Sequence, residues 1–213
     1  MRRQLLILLL FIPLPAFSQT HDKQAQAMRD KRYSMIHVHH VGIGAGAAML
    51  TNLRASARVY YGFGSYRNLA NVDAGVKYTY CYPLLHTDGE KVAGHYVSPF
   101  VAATLNCVRW ERGSMYIGGE AAYNFGVAAD HYIPATSMVE HDRQAVAHHC
   151  SVQGKIGVRL EHWDIGVHFE YDLAPAYNQK YIFETPAYDY YSMHSSLFER
   201  YRVGLNAAYL IPL

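Results

Sequence analysis

Residues 163 to 173 read WDIGVHFEYDL. Asp164, Gly166, His168, Glu170 and Asp172 alternate with Trp163, Ile165, Val167, Phe169, Tyr171 and Leu173. Side chains of an extended chain point alternately to opposite sides, so this stretch predicts a strand with one apolar and one polar face. Two environments satisfy such a strand. A sheet in water turns its apolar face to a protein core. A closed sheet in a bilayer turns that face to lipid and its polar face inward. The stretch alone does not choose, and the remainder of the chain has to.

The chain begins with Arg2 and Arg3, an apolar run from Leu5 to Phe11, and the small residues Ala16 and Ser18 around Phe17. That order is the pattern of a secretory signal peptide over residues 1 to 18, with a run too short for a membrane-spanning helix. A polar segment, 19 to 35, follows. Without Arg2 and Arg3 the basic residues equal the seventeen acidic ones, so the apparent basicity belongs to the leader and no nucleic-acid partner is implied. At the other end, in YRVGLNAAYLIPL, the residues Tyr201, Val203, Leu205, Ala207, Tyr209, Ile211 and Leu213 carry the same alternation to the last residue. Chain ends in soluble domains usually fray into water, and a terminal apolar strand does not fit that habit.

Between the ends no window is apolar enough to span a bilayer as a helix, so a membrane-embedded chain would have to be a closed sheet. Eight extended segments are expected, at about 36 to 49, 55 to 66, 72 to 83, 96 to 110, 114 to 127, 149 to 161, 164 to 174 and 199 to 212. Each is roughly ten residues or longer, the length a tilted strand needs to cross the hydrocarbon layer. The connections alternate in length. ERGS (111 to 114) and EHWD (161 to 164) are tight and SYRNLAN is modest, whereas LLHTDGEKVAGH, 128 to 148 and 175 to 198 are long. LTNLR, the first, is short and breaks the rule. A sandwich of two sheets predicts no such asymmetry.

The alternation sorts side chains into two sets. Val76, Tyr78, Tyr80, Ile165, Val167, Phe169, Tyr171, Val203, Leu205 and Tyr209 are assigned to lipid. Arg58, Lys77, Glu120, Lys155, Arg159, Glu161, Asp164, His168, Glu170, Asp172 and Arg202 are assigned to the lumen, because a charge facing lipid at mid-depth costs about 2–4 kcal/mol. Tyrosines near strand ends suit an interfacial girdle. On the leader, the strand pattern and the terminal strand, residues 36 to 213 resemble the small eight-stranded outer-membrane β-barrel family of Gram-negative bacteria. The resemblance implies an all-β, closed, antiparallel up-and-down transmembrane barrel in the outer membrane. It also implies outer-membrane lipid and lipopolysaccharide as surroundings, and barrel-insertion machinery that reads the last strand. Leu213 stands where that family more often has phenylalanine.

Candidate chemistry is sparse. The lumenal charges of both signs are read as a salt-bridge network filling a narrow interior, with Glu170 and Asp172 between Lys155 and Arg159 on one side and Arg202 on the other; this argues against an open pore. Gly42, Gly44 and Gly46 share one face of the first strand and leave room for large neighbours, without the context of a phosphate loop. His37, His39 and His40 lie near one rim, and His141, His148, His149 and Cys150 near the other, so they are read as solvated histidines; no metal or cofactor is expected. Cys81 is expected opposite Ser98 and Cys107 opposite Val72, too far apart for a disulfide. His194, Ser195 and Ser196 in a tyrosine-rich loop give a weak serine-hydrolase pattern, since neighbours on an extended chain point apart. Tyr177, Tyr181, Tyr188, Tyr190 and Tyr191 of that loop could supply contact area for a surface ligand. The leading reading is a non-enzymatic barrel with a structural or surface-contact role. A deacylase-like lipid-modifying enzyme and a secreted soluble β-barrel or sandwich binder are the alternatives.

Overall fold

Alternation sets which residues can form strands, and pairing decides what the strands build. The computed structural model describes residues 39–50, 53–64, 69–85, 91–110, 113–133, 138–141, 143–177 and 200–213; the leader, the polar segment 19 to 35 and most of the tyrosine-rich loop lie outside them. The strands are β1 (His39–Met49), β2 (Arg54–Gly64), β3 (Ala70–Leu85), β4 (Lys91–Trp110), β5 (Gly113–Ile133), the short β6 (Met138–His141), β7 (His149–Leu160), β8 (Trp163–Asp172) and β9 (Tyr201–Pro212). All pairings are antiparallel. β1 to β5 pair in succession, β5 continues to β7, β8 and β9, and β9 returns to β1. The result is a closed eight-stranded up-and-down barrel, with β6 as a four-residue arm on the edge of β5.

Closure runs through ten pairs, from His40 opposite Pro212 to Met49 opposite Val203. β1 starts and β9 stops at the same end, called here the terminal end; the opposite one is the far end. Burial follows the alternation closely: β8 reads exposed, buried in strict succession from Trp163 to Glu170, and β9 does so from Tyr201 to Leu210. Val76, Tyr78, Ile165, Val167, Phe169, Val203, Leu205 and Tyr209 point outward and are exposed, whereas Tyr80 and Tyr171 point outward but are half-buried against His95 and Tyr201.

Several expectations are corrected. β4 and β5 run further towards the far end than the polar stretches around His95 and Asp130 suggest, and β6 was not anticipated. Two predicted loops are therefore partly strand. The β3–β4 turn is consequently tighter, which shifts the register: Cys81 lies opposite Gly94, Ser98 lies opposite Lys77, and Ala103 lies opposite Val72. Cys81 is buried inside while Cys107 and Cys150 are exposed, and all three are free. Glu161 is not lumenal. It sits exposed in the turn between β7 and β8, because Arg159 is the last inward residue before the chain reverses.

Two interior glycines show how tightly the wall is filled. A Cβ on Gly42 would fall 2.1 Å from the Tyr60 ring, and one on Gly62 would fall 2.1 Å from His40 Nε2 and 2.5 Å from an Asp73 oxygen. Both strands need the bare backbone so that a large neighbour can cross it. Substituting Gly62→Val is expected to abolish the compact, faster-migrating band that a folded barrel gives on an unheated gel, while the wild type retains that band and loses it on boiling.

Candidate functional site

The interior is where the polar faces of all eight strands converge, and it is organised in three tiers. At the far end Arg54 of β2 and Arg202 of β9 share two carboxylates of β8. Arg54 reaches Glu170 at 2.8 Å and Asp172 at 2.7 Å, and Arg202 reaches the same pair at 3.3 and 2.8 Å. His149 Nε2 lies 3.5 Å from Asp172, and the Gln153 amide donates to Glu170. The middle tier is centred on Glu120 of β5. It accepts from Lys77 at 3.0 Å, from Arg58 at 3.3 Å and from Lys155. Towards the terminal end Arg159 of β7 joins Asp164 at 2.9 Å and Asp73 at 3.1 Å. His40 approaches Asp73 at 3.4 Å, and the Tyr116 hydroxyl donates to Asp164 at 2.6 Å.

These groups are removed from water: the Glu120 side chain is 0 % exposed and the Arg159 and Asp172 side chains 1 %. Such burial is tolerable only if each charge finds an opposite charge and further donors or acceptors. Here the partners come from different strands, so each pair is also a tie across the barrel. Aromatic rings fill the space between tiers. Arg159 lies over Tyr116 at 5.5 Å, Arg58 over Phe100 at 5.7 Å and Arg54 over Tyr96 at 6.0 Å. The space remaining between Arg58, Asp73, Tyr116, Lys155 and Arg159 is about 10 Å³, room for one water at most. A far larger depression, about 780 Å³, is lined chiefly by outward-facing residues such as Val72, Leu105, Ile117, Ile156, Val167 and Phe169, together with the inward-facing Asn71, Thr104, Lys155 and His168.

Above the Arg54 tier the far mouth is stopped by an apolar cap. Ala145 and Val146 from the connection between β6 and β7, and Ala176 and Tyr177 after β8, bury against Cys81, Val92, Tyr96 and Ala129. Val146 and Tyr177 form a backbone bridge, Ala147 N–H donates to Ala176 O at 2.8 Å, and the Tyr96 hydroxyl donates to Ala176 O. Gly126 is what lets Val146 approach, since a Cβ there would lie 2.8 Å from its side chain.

The sequence-assigned residues Arg58, Lys77, Glu120, Lys155, Arg159, Asp164, His168, Glu170, Asp172 and Arg202 all point inside. Their partners differ from the expected ones: Lys155 joins Glu120 and Arg159 joins Asp164 and Asp73, leaving Glu170 and Asp172 to Arg54 and Arg202. The reading overlooked Arg54 and Asp73, and His40 and His149, expected as solvated rim histidines, are instead buried inside. Arg54 shares its parity with Arg58, Asp73 with Lys77, and His149 with Arg159, so the signal was present. Neither histidine group is one site, because alternation divides it. His39 turns outward to Tyr61 and Phe63 while His40 turns in, and His149 turns in while Cys150 turns out. Among the described residues no group of three or more His, Cys, Asp or Glu could hold a metal ion. His37, His194, Ser195 and Ser196 lie outside the described residues.

No family model and no curated protein matches the sequence. Solved structures with a similar fold include Neisserial surface protein A, 12% identical with a TM-score of 0.46 over 82% of this chain and 96% of that one. Another is Ail, the attachment invasion locus protein of Yersinia pestis, in complex with the heparin analogue sucrose octasulfate, 13% identical with a TM-score of 0.38 over 81% and 96%. A de novo designed transmembrane beta-barrel is 6% identical with a TM-score of 0.38 over 81% and 94%.

Glu120 offers the sharpest test of the interior, since three cations meet at one carboxylate. Glu120→Gln is expected to destabilise the barrel by about 3–5 kcal/mol in urea unfolding from lipid vesicles, as removal of one member of a buried pair does. Glu161→Gln, in the exposed turn, is expected to leave the unfolding midpoint where it was.

Proposed function

We propose that the chain is an integral outer-membrane barrel, non-enzymatic and non-conducting, whose ion-paired interior is structural and whose far-end segments meet the surroundings of the cell. The observation that carries this reading is the inside-out distribution of polarity. Ile43, Val59, Val76, Val101, Ile117, Ile156, Val167 and Leu205 are each 43% or more exposed around the barrel, while Arg159 and Arg202 are buried within it. In water that arrangement would leave a continuous apolar girdle uncovered and bury charges for no gain; in lipid both faces are satisfied.

The dimensions support the same reading. On β8 the outward series runs from Trp163 to Tyr171, both aromatic, with Ile165, Val167 and Phe169 between. At roughly 3.3 Å per residue this is about 26 Å of strand. A tilt of about 40° leaves about 20 Å along the axis, and the rings at each limit extend it towards the ~25 Å apolar band of such barrels. The rings recur on neighbouring strands. Tyr61, Phe63, Trp163 and Tyr209 mark the terminal end, and Tyr78, Tyr123, Phe125, Tyr171 and Tyr201 the other limit. Rings with one wet polar atom favour the two interfaces. With no terminal-end connection longer than 65–69 and the two longest connections, 134–148 and 173–200, at the far end, the terminal end faces the periplasm and the capped end faces outward.

A conducting role is disfavoured by the filled lumen. The surroundings that fit are outer-membrane lipid and lipopolysaccharide, with an extracellular ligand as a further contact of the far-end segments. The reading is tested by fractionation and by reconstitution. The chain is expected in detergent-extracted outer membranes, and in planar bilayers it is expected to pass no stepwise current. A detergent-free soluble chain would overturn the location, and discrete open-channel steps would overturn the closed lumen.

A further inference from the structure

The middle and terminal tiers meet at the space of about 10 Å³, and five strands bring polar side chains to it. Arg58 of β2, Asp73 of β3, Thr104 of β4, Arg159 of β7 and Asn206 of β9 all line it, and each is more than nine-tenths buried. Every one of them carries a buried atom that no protein group among the described residues hydrogen-bonds: Arg58 Nε, Asp73 Oδ1, Thr104 Oγ1, Arg159 Nη1 and Asn206 Oδ1. Other atoms of the same side chains are engaged in the tiers. Arg58 Nη1 donates to Glu120, and Arg159 gives Nε and Nη2 to Asp164 and Nη2 to Asp73 as well.

These five atoms are informative in kind as well as in number. Arg58 Nε–H and Arg159 Nη1–H are donors, the Asp73 and Asn206 oxygens are acceptors, and the Thr104 hydroxyl is both. A buried polar atom without a partner is costly, and native structures keep few of them, so five around one space call for a common partner. The two tiers also face the space with opposite surpluses of charge. Three cations share Glu120 on one side, whereas Asp73 and Asp164 share Arg159 on the other. The partner therefore has to accept and to donate at once, which a bare cation or anion does not do and a water does. A buried water needs about 10–15 Å³ of room and two to four polar partners, and this space meets both conditions at the lower limit of size.

We propose that the space is a built site for one ordered water, held by the Thr104 hydroxyl together with Arg58, Asp73, Arg159 and Asn206, and that this water is the polar link between the middle and terminal tiers. It accepts from the guanidinium donors and donates to the carboxylate and amide oxygens, and the Thr104 hydroxyl turns to whichever role is left. Phe100, Ala102 and Ala208 form the apolar part of the wall and confine it to one position. A single water walled in this way joins two tiers without opening a file of waters through the lumen.

X-ray diffraction from detergent-grown crystals of the full chain, at a resolution that shows ordered solvent, tests the site. One solvent peak is expected within about 3.2 Å of at least three of the five atoms, and crystals soaked in bromide are expected to show no anomalous peak there. Thr104→Val keeps the shape of the side chain and deletes its hydroxyl. It is expected to retain the compact unheated band of the folded barrel and to weaken or lose the solvent peak, whereas Thr104→Ser is expected to keep it. Should Thr104→Val fail to give that band, Ala102→Ser is the second variant: a hydroxyl on the wall of the space is expected to displace the peak. Wild-type crystals with the side chains so arranged and no solvent peak, an anomalous bromide peak, or a peak indifferent to Thr104→Val would overturn the assignment.

Discussion

Closure of the sheet is the constraint from which the other features follow, because a barrel has no strand edge and every rung must be in register with the next. Side chains alternate with a period of two, so a slip of one residue in any pairing would send Arg159 or Glu170 to the outer face and Ile165 or Val203 to the inner one. The interior ion pairs reinforce that restriction. Arg159 meets Asp164 across one rung and Asp73 across the lumen, and Glu120 collects cations from β2, β3 and β7. Buried charge pairs add little net stability compared with apolar filling, but a pair broken by misregistry is costly. The polar interior is thus better understood as a device that singles out one register than as a source of stability.

The tiers also explain why the wall is rich in glycine. Large inward side chains such as Tyr60 and Tyr116 cross an interior only wide enough for side chains, and they pass over neighbouring strands at Gly42 and Gly157. An aromatic residue on one strand and a bare backbone on the next form one packing unit. The cationic groups above the rings of Tyr96, Phe100 and Tyr116 then link adjacent tiers, so that no level of the lumen is independent of the levels above and below it.

Much of this was legible in the sequence because period-two alternation is local. WDIGVHFEYDL fixed the two faces of β8, and the same parity rule placed Lys77, Lys155, Arg159 and Arg202 inside. Extended to Arg54, Asp73 and His149, it would have found them too. Partner identity was less legible, since it depends on register, and register depends on turn length. His95 and Gly94 looked like loop residues, yet Gly94 is small because Tyr96 and Tyr177 occupy the space a Cβ would need. Misreading that turn displaced the partner of Cys81 by four residues. The cap and the β6 arm carry no periodic signature at all: Val146 meets Tyr177, and His141 meets Asp130, through contacts that no local pattern encodes.

The seam between β1 and β9 has a kinetic meaning. The first strand of the barrel cannot complete its pairing until β9 exists, for Gly42 waits on Leu210 and Ala45 on Ala207. Joining segments so remote in sequence demands a large loss of chain entropy before any bond at the seam compensates it, which slows assembly and makes it concerted. A nascent chain lacking its final dozen residues would present two bare margins, one along β1 and one along β8, each able to recruit a foreign strand. Biogenesis must therefore shelter an unclosed ribbon until β9 has been made.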